Sequence, residues 1–221
     1  VARARALSAQ LAGHVGALKL GLEFFTANGA AGVQQIASAQ SPVFLDLKFH
    51  DIPNTVAKAI KATAAIDAFI MTVHTAGGHA MMKAAAEAAS ENAAKTGKRR
   101  PFVVGVTVLT SMDQNDLSDT GVRDAVADQV KRLAELAQKA GLDGVVCSPH
   151  EIEMIKKTCG KEFKLVVPGI RPAGSETGDQ KRVMTPREAV DKGADFLVIG
   201  RPITESANPA QAAKDILSSL A

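Results

Sequence analysis

Short runs of Val, Ile, Leu and Phe alternate along the chain with longer stretches in which apolar residues recur every three or four positions. The short runs predict strands over 17–21, 43–48, 68–74, 102–109, 144–147, 164–168 and 196–200. Most are continuous in apolar character, which suits strands covered on both faces, as in a parallel sheet. The longer stretches predict helices over 2–11, 24–39, 56–65, 80–94, 123–140, 149–158, 186–192 and 209–220. Thr185-Pro186 and Asn208-Pro209 mark helix starts, where a proline in the first turn forfeits no hydrogen bond. Gly141 and Gly193 mark helix stops.

A strand followed by a helix, repeated seven times, predicts an α/β fold with right-handed crossovers. An open doubly wound sheet and a closed TIM (β/α)8 barrel both fit that rhythm. The barrel takes eight strands and about 250 residues. This chain shows seven strands in 221 residues and opens in a helix. The simplest reading is a TIM (β/α)8 barrel with its first strand apparently absent from this chain. No linker or composition shift divides residues 1–221, which predicts a single barrel domain, N-terminally incomplete.

Composition narrows the partners. With 46% hydrophobic and 22% charged residues the chain is too apolar for disorder. Its net charge of +3 is spread out, without basic blocks, and Trp and Tyr are absent, so nucleic acid is not an expected partner. The longest strongly apolar run, 102–109, falls far short of the roughly 20 residues of a membrane helix. No secretory signal opens the chain, and the two cysteines, Cys147 and Cys159, make neither a disulfide framework nor a four-ligand zinc site. Cys147 reads as a small core residue. A cytoplasmic protein without bound metal is expected.

Chemistry in a barrel gathers at the carboxyl ends of the strands, and there the polar residues stand out. In Phe44-Leu45-Asp46-Leu47-Lys48-Phe49-His50-Asp51-Ile52-Pro53-Asn54-Thr55, Asp46 and Lys48 are two apart and share a face of their strand. Leu45, Leu47 and Phe49 take the other face. An internal ion pair with Asp51 as a helix cap explains these charges structurally; their crowding at one strand end favours a functional site. Lys19, inside the apolar Leu18-Lys19-Leu20-Gly21, completes an alternating set with Asp46, Lys48 and Asp51 whose charges sum to zero. Such a set tolerates burial because each charge has an opposite neighbour.

The last two strands end in Pro168-Gly169-Ile170-Arg171-Pro172 and Val198-Ile199-Gly200-Arg201-Pro202. Barrels often hold phosphate there, with backbone N–H groups and an arginine converging. The long loop through Gly174, Ser175, Gly178, Asp179 and Gln180 predicts a mobile lid. Thr110, in Val108-Leu109-Thr110-Ser111, offers a hydroxyl to a ligand or to a helix cap. His50 and His74 read as packing residues.

Taken together, these motifs closely resemble the orotidine 5′-phosphate decarboxylase family of the bacterial type, over essentially the whole chain. The string Asp46-x-Lys48-x-x-Asp51-Ile52-Pro53-Asn54-Thr55 is the specific one. The resemblance implies loss of CO2 from C6 of orotidine 5′-phosphate to give UMP, without metal or organic cofactor. It implies that Lys48 stabilises the C6 carbanion and protonates it. Asp46 would lie near the departing carboxylate and hold Lys48, and Lys19 would pair with Asp46 and touch the ribose. Asp51 and Thr55 would reach the neighbouring subunit's site in a homodimer. Thr110 would meet the pyrimidine, while Arg171, Gln180, Gly200 and Arg201 would take the phosphate.

Such families also carry a ribose-binding aspartate on a first strand that this sequence does not show. Two alternatives follow. One is a metal-dependent sugar-phosphate decarboxylase or aldolase of the same superfamily, which would carry an acidic metal ligand where Lys19 stands. The other is a truncated fragment that binds nucleotide without turning it over.

Overall fold

The computed structural model describes residues 1–37, 42–172 and 183–220. Its strands are β1 (Leu18–Gly21), β2 (Val43–Phe49), β3 (Ile70–His74), β4 (Phe102–Val106), β5 (Gly144–Val146), β6 (Lys164–Val167) and β7 (Phe196–Leu197). They form one sheet in chain order, and every neighbouring pair is parallel. Parallel neighbours need a crossover after each strand, and helices supply it. The helices are α1 (Ala2–Leu11), before β1, then α2 (Leu22–Gln34), α3 (Pro53–Ala62), α4 (Gly78–Thr96), α5 (Gln114–Asp119), α6 (Val126–Lys139), α7 (Ile152–Cys159) and α8 (Pro186–Asp191) between the strands, and α9 (Arg201–Thr204) and α10 (Pro209–Ser218) after β7.

The outward face of the sheet, with Leu45, Met71, Val73, Val103, Val145 and Leu165, packs with Val56, Ile60, Met81, Val130 and Ile155 of the helices into the main core. The inward face has its own buried cluster of Phe44, Ile70, Val104 and Val166. Phe69, just before β3, and Phe196, at the start of β7, bring their ring centroids to 5.8 Å. Four strand spacings of about 4.8 Å separate those positions in a flat sheet, so the sheet is curled on itself. The result is a TIM-barrel-type α/β fold with one strand fewer among the described residues. A separate cluster of Leu11, Ile203, Ala213 and Ile216, with Leu18 and Ile199 against it, ties the β1 side to the β7 side through α1, α9 and α10.

Several elements differ from the sequence reading in extent. β4 stops at Val106 and leaves 107–109 to a turn that faces the cavity described below. α5 was not expected; Asp113 caps it, accepting from the Asn115 and Asp116 N–H groups. β7 likewise ends at Leu197, three residues before α9, where the apolar run suggests a longer strand. α2 carries non-helical backbone at Gly29, with φ 61°. The proline starts hold: Thr185 closes a capping box with Glu188, and Asn208 accepts from the Gln211 N–H. Gly141 and Gly193 adopt φ of 83° and 109°, the left-handed backbone that ends a helix. No described helix is long and apolar enough to cross a membrane.

Candidate active site

Asp46, on β2, is the centre of a hydrogen-bonded group at the carboxyl ends of β1, β2 and β3. Its Oδ1 accepts from Lys48 Nζ at 2.9 Å and from Thr72 Oγ1 at 3.0 Å, and its Oδ2 accepts from Lys19 Nζ at 3.2 Å. Its side chain is only 12% exposed, which would ordinarily favour the neutral acid. Burial does push this carboxyl up, but the Lys19 and Lys48 ammoniums and their hydrogen bonds outweigh it. The carboxyl is held below its ordinary value of 3.8. The site therefore keeps a buried carboxylate with two ammoniums on it.

The side chains converge as the two-residue spacing predicts, but not through a regular pleat. Lys48 has φ 50°, a left-handed conformation uncommon for a residue with a side chain. The β2–β3 register shifts between Leu45 and Phe49, and the Lys48 N–H donates to Thr72 Oγ1 at 2.8 Å. Thr72 was missed in the sequence, where it reads as filling for an apolar strand. Its signal was the alternation Ile70, Thr72, His74, which puts a hydroxyl on the inward face beside Asp46 and Lys48.

A cavity of about 350 Å³ opens at this end of the barrel, lined by Lys19, Asp46, Lys48, Thr110, Arg171, Gly200 and Arg201 among others. Seven of the ten residues singled out in the sequence thus line one cavity. Val106, Val108, Val146, Pro168 and Val198 supply its apolar surface. A side chain added at Gly200 would meet no atom within 4 Å, so open space lies beside that backbone. Arg171 is pinned by its own backbone: its N–H donates to the Met184 carbonyl at 2.9 Å, joining the chain on the two sides of 173–182. Gln180, with the expected lid around it, lies outside the described residues.

Asp51 and Thr55 do not line the cavity. Asp51 is not a cap of α3, as the structural reading would have it: it accepts from the adjacent Ile52 N–H at 2.7 Å and is exposed. Thr55 is exposed on the first turn of α3. His50 and His74 stack at 5.4 Å, and His74 Nδ1 accepts from the Ala76 N–H. Burial, then the nearby His50 and Lys48, push the His74 imidazole down, so it sits neutral beside the site. Among the described residues no three His, Cys, Asp or Glu side chains gather as a metal site would require.

A sequence profile described as the Orotidine 5′-phosphate decarboxylase / HUMPS family matches residues 2–216. The chain belongs to that family. It is 57% identical to the orotidine 5′-phosphate decarboxylase of Paramagnetospirillum magneticum over 99% of this chain and 93% of that relative. It is 54% identical to the enzyme of the same name from Rhodospirillum rubrum, over 97% of this chain and 87% of the relative. The crystal structure of orotidine 5′-phosphate decarboxylase from Lactobacillus acidophilus superposes with a TM-score of 0.81 at 36% identity, covering 91% of this chain and 85% of that one. The orotidine 5′-phosphate decarboxylase / HUMPS match spans β1 to β7 and so includes every residue named on the cavity wall.

Proposed function

We propose that the chain decarboxylates orotidine 5′-phosphate to UMP, with Lys48 as the group that meets the reacting carbon. The observation that carries this reading is the Lys48 ammonium, held by the buried Asp46 at 2.9 Å on the wall of the cavity. The C6–carboxylate bond breaks, CO2 leaves, and the electron pair stays on C6 with little delocalisation. An ammonium fixed beside that carbon stabilises the developing charge before any solvent must reorganise. The same ammonium then gives its proton to C6, and the neutral amine regains one from water. Asp46 positions Lys48, and Lys19 completes the charge balance and faces the ribose.

Arg171, Gly200 and Arg201, which line the same cavity, take the phosphate, Gln180 joins them, and Thr110 meets the base. Binding at the phosphate then stabilises a closed site around C6, which raises kcat rather than merely lowering KM. The metal-dependent alternative requires an acidic ligand where Lys19 stands, and an ammonium 3.2 Å from Asp46 repels a divalent cation from that carboxylate. No cofactor is invoked. Loss of orotidine 5′-phosphate absorbance in the presence of a chelator tests the assignment. Undiminished turnover is expected; turnover that needs added metal, or none at all, overturns it.

Asp51 and Thr55 serve a partner's site in a homodimer. In support, Ile52 between them is 68% exposed, an apolar surface beside polar groups that have no role in their own cavity. Mixing Lys48→Ala with Asp51→Ala chains should regenerate activity, since one hybrid site then holds both residues; no recovery from proven hybrids overturns the shared site. A housekeeping biosynthetic step of this kind belongs in the cytoplasm and has no use for nucleic acid as a partner.

A further inference from the structure

In a regular parallel ladder each strand N–H donates to a carbonyl of its neighbour. At Lys48 the neighbour's side chain takes that place: the N–H donates to Thr72 Oγ1 at 2.8 Å. The ladder is out of step there. Leu45 pairs with Met71 and Phe49 with Val73, so β2 advances four residues while β3 advances two. The extra backbone is taken up around Lys48 at φ 50°, a conformation that persists for such a residue only when its surroundings hold it. The Thr72 hydroxyl has one proton, and it gives this to Asp46 Oδ1 at 3.0 Å. One fully buried hydroxyl therefore ties the backbone of Lys48 to the carboxylate that holds the ammonium of Lys48.

We propose that Thr72 is a positioning residue for the reaction, fixing the Lys48 ammonium through both its backbone and Asp46; this rests on the decarboxylase reading above. Thr72 does not line the cavity, so it acts without touching substrate. A methyl group in place of the hydroxyl would keep the volume, leave the Lys48 N–H without its acceptor and take one donor from Asp46. An ammonium displaced by even a fraction of an ångström from the reacting carbon loses much of its effect on the transition state. Substrate and product binding, carried elsewhere on the wall, would change little.

Thr72→Val is expected to lower kcat about 30-fold while KM and the Kd for UMP stay within about threefold. The acid limb of kcat/KM moves to higher pH, because a carboxylate that loses a donor is more easily protonated. Thr72→Ser, which keeps the hydroxyl, restores kcat to within about threefold and returns the limb to its place. Should Thr72→Val be recovered unfolded, Thr72→Ala replaces it with the same expectations. A valine or alanine variant with kcat within about twofold of the unmodified chain, or a serine variant as impaired as either, overturns the proposal. Carboxyl carbon-13 NMR of Asp46 reads the same claim without turnover: its titration should rise in Thr72→Val and not in Thr72→Ser, and an unmoved titration also overturns it. If the unmodified chain leaves orotidine 5′-phosphate untouched, the function reading fails, and the Asp46 titration still decides the role of Thr72.

Discussion

Two lysine–aspartate–lysine groups sit at opposite ends of the same sheet. At the carboxyl ends, Asp46 accepts from Lys48 at 2.9 Å and Lys19 at 3.2 Å. At the amino ends, Asp195, just before β7, accepts from Lys156 at 2.7 Å and Lys164 at 3.2 Å. Burial raises both carboxyls and the neighbouring hydrogen bonds and ammoniums lower them further, so both are held below their ordinary value. Charge and titration do not tell these groups apart. Their unused donors do. Lys156 spends all three: on Asp195, on the Lys161 carbonyl and on the Phe163 carbonyl. Asp195 also accepts from the Leu165 N–H at 2.9 Å, clamping the start of β6 to β7. Among the described residues the Lys48 ammonium donates only to Asp46, and it lines the cavity. Lys156 has exhausted its donors on the fold, whereas Lys48 keeps donors that face the cavity.

The sharpest way to break that contrast is to remove one lysine from each end. Lys48→Ala should lower kcat by about 10³-fold or more, with the Kd for UMP within about tenfold, because the part proposed for it is played in the transition state. Lys156→Ala should leave kcat within about threefold and cost about 1–3 kcal/mol of stability, read by denaturant unfolding. Comparable losses of kcat in the two variants would show that an ammonium at either end serves the same structural purpose.

Next in size is Arg201, on the cavity lining. Arg201→Ala should lower kcat/KM for orotidine 5′-phosphate by about 10²-fold. With phosphate-free orotidine, the variant and the unmodified chain should turn over at the same rate. A loss that persists without the phosphate would place Arg201 at the reacting carbon instead.

Much of this contrast is visible in the sequence, and what is not has a physical reason. Asp46, Lys48 and Lys19 stand out because charges inside short apolar strands are costly and hence conspicuous. Arg171, Gly200 and Arg201 stand out because barrel strands end where ligands bind. Thr72 does not, since a threonine suits a strand whether or not its hydroxyl is used. Its importance lies in a register shift that only the paired strands reveal. The bond between Asp195 and Lys156 is equally hidden, because its partners are 39 residues apart and each looks like an ordinary surface charge. β4 ends at Val106, short of the 102–109 that its apolar run predicts, because a run such as Val106-Thr107-Val108-Leu109 reads alike whether it continues a strand or lines a cavity.

The smallest effect is the one that separates the two carboxylates by pH. A carboxyl lowered by folding contributes stability that is fully present above its unfolded value and is lost as pH falls through the folded one. For Asp46 and Asp195 that loss begins near pH 3.8 and runs downward. Asp46 should add a second consequence: its protonation frees Lys48 and lowers the rate, whereas protonation of Asp195 only loosens β6 against β7. Asp195→Asn mimics the protonated state permanently. It should flatten the decline in unfolding free energy below pH 3.8 while leaving the acid limb of kcat/KM where it was. The substrate's own titrations are common to both chains and cancel in the difference. An acid limb displaced by Asp195→Asn would mean that the two ends of the sheet are coupled, and that the group at the amino ends takes part in the chemistry after all.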